Sequence, residues 1–169
     1  MKVNVAQVRR NESGTAHFEL TEDFSSFESE LDGVSFATPV HVHLQVINTG
    51  KSLLVEGKIH TEVKAQCGLC LENFTYPIDQ AYEDEWVFLP QATEEQMETA
   101  LLFEKDEIEI NERILEQIVL ALPMRFICSH ECMGLCPICG VNRNTKSCDC
   151  VEEKIDPRFA ALAQWSRED

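Results

Sequence analysis

The residues of this chain best suited to chemistry are its eight cysteines, most of which are clustered. The sequence contains Cys67-x2-Cys70 and then the series Cys128-x3-Cys132-x3-Cys136-x2-Cys139-x8-Cys148-x-Cys150. Two thiolates separated by two residues can bind one tetrahedral Zn²⁺ ion at about 2.3 Å. In Cys136-Pro-Ile-Cys139-Gly140 the glycine also allows the tight turn of a zinc knuckle. The spacing therefore predicts structural zinc sites.

The pairing of these cysteines has more than one solution. Eight thiols are enough for two sites of four thiolates each, and Cys67-Gly-Leu-Cys70 supplies a second knuckle. In one alternative a single strong site forms and the other cysteines stay free, and in another His130 replaces a thiol. The preferred assignment makes a local site and a site that spans the fold: Cys136, Cys139, Cys148 and Cys150; and Cys67, Cys70, Cys128 and Cys132.

Catalytic uses of the cysteines are weaker hypotheses. A catalytic zinc ion keeps an open coordination position and usually has a histidine or carboxylate ligand, whereas here thiolates can close every position. Redox cysteines need a helix N-terminus or nearby positive charge, but residues 71–88 alternate like a strand in an acidic neighbourhood. We therefore expect no enzyme and no small-molecule substrate.

Histidines offer one further candidate metal site. His41 and His43 share one face of a predicted strand, and Glu56 on the next strand could lie opposite them. Exposed histidines on a sheet are the more common case, so this trio is the weaker prediction.

Composition limits the partners that this chain can have. Its 169 residues include 30 acidic and 14 basic side chains, for a formal net charge of −16. Such a field repels phosphate backbones and attracts basic proteins. No segment resembles a signal peptide, and no apolar run approaches the roughly 18 residues of a membrane span. We expect a cytoplasmic protein without a membrane partner, in which clustered cysteines bind metal before they form disulfides.

A predicted β-sheet positions the first two cysteines. Apolar and polar residues alternate over 40–46 and 53–65, and the Asn48-Thr-Gly50 turn between them predicts a hairpin. A third alternating run over 74–88 extends this to an antiparallel meander with one buried face. Cys67 and Cys70 then lie at the corner between two strands.

A helix and several weaker elements complete the prediction. Residues 114–122 carry an apolar helical stripe, with Asn111 as the expected N-cap and Pro123 as the stop. Weaker patterns predict a short strand at Val3, Val5 and Val8, loosely structured core residues over 18–27, a helix over 93–103 and an extended stretch at 108–110. Asp156-Pro157 predicts the start of a short C-terminal helix, whose apolar side would carry Phe159, Leu162 and Trp165.

The predicted fold class is α+β: an antiparallel β-meander with a packed helix, a cysteine-rich zinc-knuckle segment and a short C-terminal helix. Residues 1–125 would form the sheet and helix core. Residues 126–169 would form the zinc-binding segment and the C-terminal helix, packed on that core as one domain.

The cysteine segment resembles that of the bacterial YceD family, the large ribosomal RNA accumulation proteins. The resemblance rests on Cys128-x3-Cys132-Met-Gly-Leu-Cys136-Pro-Ile-Cys139-Gly-Val-Asn142-x-Asn144-x3-Cys148-x-Cys150. Cys67-Gly-Leu-Cys70-Leu71, Leu120-Ala-Leu-Pro123 and Asp156-Pro157-Arg158-Phe159-Ala160 agree with the family's order. One departure is Arg143, where leucine is expected between the two asparagines.

This resemblance implies a role in large ribosomal subunit biogenesis and 23S ribosomal RNA accumulation, with a ribosomal protein or the precursor subunit as partner. It does not imply an enzyme, and the family's members with fewer cysteines indicate that zinc supports structure. The alternative function is direct ribosomal RNA binding by the knuckles, to which Arg143, Asn144 and Lys146 would contribute.

Overall fold

Three long strands form the centre of a six-stranded sheet. The structure, a computed structural model, describes residues 1–31 and 33–150. Its strands are β1 (Lys2–Asn4), β2 (Thr15–Glu22), β3 (Ser35–Phe36), β4 (Val40–Asn48), β5 (Leu53–Gln66), β6 (Asn73–Phe88), β7 (Leu101–Phe103) and β8 (Glu107–Glu109). Its α-helices are α1 (Ala6–Arg10), α2 (Gln96–Thr99) and α3 (Asn111–Ala121), and short 3₁₀ helices lie at Ser25–Glu30 and Leu89–Gln91.

The sheet confirms the predicted α+β fold with its antiparallel meander. The strand order is β2-β4-β5-β6-β7, with β3 also paired to β5, and β1 and β8 form a separate two-stranded sheet. The pairs β4–β5 and β5–β6 are antiparallel, as predicted, whereas β6 and β7 pair in parallel. The C-terminal helix predicted from Asp156 lies outside the described residues.

The buried face of the sheet carries the core. Alternate residues of β4 and β5 are buried, and the even-numbered aromatic residues of β6 lie on the same side. Ile114, Leu115 and Ile118 on α3 are buried, and α3 packs against β6. Gly57 leaves room on the buried face of β5 for Tyr82 of the paired strand, because a Cβ atom at Gly57 would lie 2.2 Å from that ring.

The N-terminal region differs from the prediction. The expected strand ends at Asn4, and Val8 lies in α1 instead. Residues Phe18 and Leu20, predicted in loose structure, belong to β2, which pairs along its whole length with β4. An edge strand of this kind is defined by a partner that lies far away in the chain, so its own sequence gives a weak signal.

The acidic segment also differs from the prediction. The helix expected over 93–103 is only the four-residue α2, and residues 101–103 form β7 because they pair with β6. The extended stretch at 108–110 corresponds to β8.

Helix α3 occurs where predicted and ends before Pro123, but Asn111 is its first helical residue and does not cap it. The side chain of Asn111 instead accepts a hydrogen bond from the amino group of Met1 and donates one to Glu22. At 11 residues, α3 is the longest helix of the described ranges, and none there is long and apolar enough to cross a membrane.

Candidate metal centres

The first Cys-x-x-Cys loop connects the two longest strands. Cys67 follows the last residue of β5, Cys70 precedes β6, and both side chains are buried. The backbone closes on itself: the Leu71 N–H donates to the Cys67 carbonyl at 2.9 Å, and the Cys67 N–H donates to the Glu72 carbonyl at 2.9 Å. Leu71 adopts a left-handed conformation with φ of 61° to make this turn.

The segment that follows α3 packs against this loop. The Gly68 N–H donates to the Phe126 carbonyl at 2.8 Å, and the Arg125 guanidinium donates to the Gly68 carbonyl at 2.9 Å. The Phe126 ring packs edge-on against Tyr76 of β6, with centroids 5.5 Å apart. On the other side, the Leu135 N–H donates to the Leu69 carbonyl at 3.0 Å. These contacts bring the cysteine segment onto the corner of the sheet.

Four sulfur atoms meet at this corner. The Sγ atoms of Cys67, Cys70, Cys128 and Cys132 all lie within 4.8 Å of one another. Cys67 and Cys132 are 3.9 Å apart, and Cys70 and Cys128 are 3.7 Å apart. Four thiolates bound tetrahedrally at about 2.3 Å from a zinc ion would be separated by about 3.8 Å. The four sulfur atoms therefore fit a closed tetrahedral metal site, and we call them the corner group.

The other four cysteines meet locally. The Sγ atoms of Cys136, Cys139, Cys148 and Cys150 also lie within 4.8 Å of one another, and we call them the local group. Both groups have the composition of the preferred pairing. Neither group includes His130, and no histidine belongs to any such cluster of three or more ligands in residues 1–31 and 33–150.

The second Cys-x-x-Cys loop repeats the backbone pattern of the first. The Gly140 N–H donates to the Cys136 carbonyl at 2.8 Å, and the Cys136 N–H donates to the Val141 carbonyl at 2.8 Å. Gly140, with φ of 73°, occupies the left-handed position that Leu71 occupies in the first loop. The two loops are therefore the same knuckle, although glycine marks the turn in only one of them.

Backbone N–H groups point at one sulfur in each knuckle. Burial acts to raise the pKa of Cys67, but hydrogen bonds from the N–H groups of Cys128, Cys70 and Leu69 lower it to about 6. In the local group, the N–H groups of Cys139 and Ile138 likewise lower the pKa of Cys136 to about 6. Both sulfurs therefore favour the thiolate that binds metal.

One further thiol in each group, Cys128 and Cys150, resists ionisation beside these thiolates. A hydrogen bond with Cys132 is the main cause that raises the pKa of Cys128 to about 12. A hydrogen bond with Cys139 does the same for Cys150, whose pKa is also about 12. Four thiolates in contact repel one another, and a bound divalent cation removes that repulsion and deprotonates its ligands. The donor set thus suits a soft divalent metal ion in both groups.

Asn144 links the two groups, a role that the sequence did not reveal. Its side-chain amide donates to Cys132 Sγ at 3.3 Å, although Asn144 lies in the loop between Cys139 and Cys148. Its Oδ1 accepts a hydrogen bond from the Met133 N–H at 2.8 Å. This donor lowers the pKa of Cys132. The only sequence signal for it is a polar residue between the knuckle and the last two cysteines.

The predicted histidine trio does not form. His41 lies directly opposite His60, whereas Glu56 lies opposite Gln45. Glu56 is four residues from His60 along β5, which places it about 13 Å from the row that contains His41. His43 instead approaches Glu19, with Nδ1 3.6 Å from Oε1.

A known protein family matches the part of the chain that carries both cysteine groups. The family model described as "Large ribosomal RNA subunit accumulation protein YceD" matches residues 55–165, which is more than half of the chain and contains all eight cysteines. No solved structure gives a significant match.

Several curated proteins are similar in sequence. An uncharacterised protein of Mycobacterium tuberculosis (strain H37Rv) is 27% identical over 169 residues, which cover 97% of this chain and 80% of the relative. YlbN, an uncharacterised protein of Bacillus subtilis, is 22% identical over 170 residues and covers 100% of this chain and 98% of its own length. The chloroplastic large ribosomal RNA subunit accumulation protein YCED homolog 1 of Arabidopsis thaliana is 26% identical over 161 residues, 74% of this chain and 48% of the relative.

Proposed function

Because the chain belongs to the YceD family of large ribosomal RNA subunit accumulation proteins, we propose that it is a non-catalytic cytoplasmic factor that supports large ribosomal subunit assembly and 23S ribosomal RNA accumulation. The family match over residues 55–165 is the observation that carries this proposal. The name of the Arabidopsis relative points to the same process.

Zinc has a structural role in this proposal. The corner group binds one Zn²⁺ ion and the local group a second, through the thiolates of all eight cysteines. Two features support this assignment: sulfur separations near those of a tetrahedral thiolate site, and backbone donors aimed at Cys67 and Cys136. Four sulfur ligands leave no open coordination position for a substrate, which is consistent with a factor that does not catalyse a reaction.

The docking surface of this factor is an acidic groove of about 580 Å³ beside β7 and β8. Arg113, one of its two cations, is already paired with Asp84 and Glu116. Six carboxylates line the groove: Glu98, Glu104, Glu107, Glu109, Glu112 and Glu116. This concentration of negative charge suits a basic partner such as a ribosomal protein.

Strand β7 adds a second feature to the groove. It is the last strand of the sheet order, and among the described residues it pairs only with β6. An open edge strand offers backbone N–H and C=O groups to an extended segment of a partner. A basic extended tail of a ribosomal protein would therefore fit the acidic groove by both charge and backbone pairing.

Depletion and sedimentation test this function together. Depleting the protein in its native cell should lower the ratio of 23S to 16S ribosomal RNA, and tagged protein should sediment with large-subunit precursors at low salt. The Glu109→Lys, Glu112→Lys double variant should lose that sedimentation. A matched control on the outer face of the sheet, Glu56→Lys with Glu83→Lys, should keep it. An unchanged RNA ratio together with migration as free protein only would contradict the proposal.

A second candidate function is direct contact with ribosomal RNA. Arg143 and Lys146 line a groove of about 410 Å³ next to Cys148 and Cys150, together with Met133 and Asn144. Cations beside exposed polar and apolar side chains can contact phosphate and bases. Titration against 23S RNA fragments should then show saturable binding that weakens with salt, and Lys146→Ala should reduce the salt slope. Binding without saturation would exclude this candidate.

A further inference from the structure

A single row of polar side chains crosses the outer face of the sheet. Thr21, His41, His60 and Asp79 lie in register on β2, β4, β5 and β6, with each residue directly opposite the next. All four side chains are exposed. Residues opposite one another on an antiparallel pair have Cβ atoms about 4.5–5.5 Å apart. The two histidine rings are therefore immediate neighbours at the centre of the row.

Thr21 and Asp79, at the two ends of the row, each contact the Nδ1 atom of the neighbouring histidine. Thr21 Oγ1 lies 2.9 Å from His41 Nδ1, and Asp79 Oδ1 lies 2.6 Å from His60 Nδ1. An imidazole that donates Nδ1–H to a carboxylate keeps its lone pair on Nε2, which is the arrangement of a metal-binding histidine with its supporting carboxylate. Among the described residues, no hydrogen bond is made to Nε2 of His41 or His60.

We propose that His41 and His60 form an exchangeable binding site for a divalent transition-metal ion, through their two Nε2 atoms. Imidazole ligands suit Ni²⁺, Cu²⁺ and Zn²⁺. Asp79 is a positioning residue that fixes the tautomer and orientation of His60, and the Thr21 hydroxyl orients the His41 ring by accepting its Nδ1–H.

This site is separate from the cysteine groups and does not depend on the proposed function. His60 lies on β5, seven residues before Cys67, which directly follows the strand. That separation is about 23 Å for an extended chain. Lys58 flanks the row on one side and the half-buried Glu62 on the other, so the neighbouring charges of β5 offset each other. The net charge of −16 favours cation binding in general, and the paired rings determine where the ion is held.

Titration of the full-length, zinc-containing protein with Ni²⁺ tests the site. Ni²⁺ is paramagnetic, so at one equivalent it should broaden the side-chain NMR signals of His41 and His60 first and together. His41→Gln and His60→Gln should each weaken Ni²⁺ binding about tenfold or more, because one of two ligands is lost. His17→Gln, on the same sheet face but opposite Gln45, should leave the affinity unchanged.

Asp79→Asn tests the positioning role separately. It should weaken Ni²⁺ binding about tenfold and shift His60 towards the Nε2–H tautomer in ¹⁵N NMR spectra, while the backbone amide signals of β4 and β5 stay those of the folded protein. Equal broadening of all exposed histidines, or an equal effect of His17→Gln, would overturn the proposal. So would Ni²⁺ binding at cysteine sulfur alone, which is visible as a thiolate-to-metal charge-transfer absorption.

Discussion

The side-chain amide of Asn144 donates a hydrogen bond to the sulfur of Cys132, 3.3 Å away, and so connects the loop of the local group to a sulfur of the corner group. Hydrogen bonds from neighbouring groups stabilise a bound thiolate and orient it towards the metal. Asn144 Oδ1 also accepts a hydrogen bond from the Met133 N–H, so both the donor and the acceptor of its side chain are hydrogen-bonded.

Replacing Asn144 with aspartate should therefore weaken zinc binding at the corner group. The carboxylate keeps the shape and still accepts from Met133, but it has no donor for sulfur and it repels the thiolate. We expect zinc affinity of one of the two ions to fall about tenfold, measured by competition with a chromophoric chelator. The control is Asn73→Asp, which adds the same negative charge at an exposed position of β6. If it lowered the zinc affinity equally, the effect of Asn144→Asp would come from charge alone.

Alanine at the same backbone position should destabilise the two knuckles to different extents. Gly140 and Leu71 both have positive φ, and an added Cβ at Gly140 meets no atom within 4 Å. Gly140→Ala should therefore cost about 1–2 kcal/mol for conformation alone. Leu71→Ala should cost far less, because the strain is already present and Leu71 is 55% exposed. Denaturant unfolding of the zinc-loaded protein measures both, and equal losses would show that the two turns are not equivalent.

Removing zinc should loosen the cysteine segment before the sheet. Metal ligation contributes directly to the folding free energy of such sites, whereas β4 and β5 are held by a buried apolar face. After chelation, the amides of Leu135 and Cys136 should lose hydrogen-exchange protection while those of the central strands keep it.

Single cysteine variants distinguish the two groups. Cys136→Ser should loosen residues 136–148, whereas Cys67→Ser should release residues 126–135 from the sheet corner. Full protection of Leu135 and Cys136 in metal-free protein would contradict the assignment of these sulfurs as ligands.

The sequence predicted best the features that depend on local pattern. Strict alternation identified β4, β5 and β6. Cysteine spacing left several pairings open, and the preferred one has the membership of the two groups of sulfur atoms. The pattern could not predict β7, since residues 101–103 become a strand only by pairing with β6. Nor could it predict the left-handed Leu71, because leucine carries no signal for that conformation. Asn111 was misread as a cap because its partners, Met1 and Glu22, are distant in sequence.

An ion pair between a buried carboxylate and a half-buried guanidinium connects α3 to the sheet. Asp84 on β6, whose side chain is 3% exposed, accepts hydrogen bonds from Arg113 at 2.9 and 3.0 Å and from Trp86 Nε1 at 3.2 Å. Asp84→Ala would leave the indole N–H and two N–H groups of Arg113 without their acceptor, while Glu116 keeps its ion pair with the same guanidinium. The change should destabilise the fold by about 2 kcal/mol in thermal or denaturant unfolding. The exposed neighbour offers a matched variant, Glu83→Ala, which should stay within about 0.5 kcal/mol of the parent. Similar losses for both would mean that the pair does not stabilise the docking of α3.

Two asparagines hold the two ends of α1 and should differ in their contribution to stability. The buried Asn48 donates through Nδ2 to the carbonyls of Val8, Arg9 and Asn11, at 3.0, 3.1 and 3.0 Å. At the other end, the exposed Asn4 accepts one hydrogen bond from the Ala6 N–H.

Asn48→Ala removes the amide hydrogens that the three carbonyls share; those of Val8 and Asn11 keep backbone donors, whereas the half-buried carbonyl of Arg9 loses its side-chain donor. This loss should cost about 2 kcal/mol. Asn4→Ala removes one solvent-exposed cap and should cost about 0.5–1 kcal/mol. Urea unfolding of the two variants under the same conditions measures the difference. If Asn4→Ala were as destabilising as Asn48→Ala, burial would not be the cause, and α1 would be held by its apolar contacts rather than by the amide of Asn48.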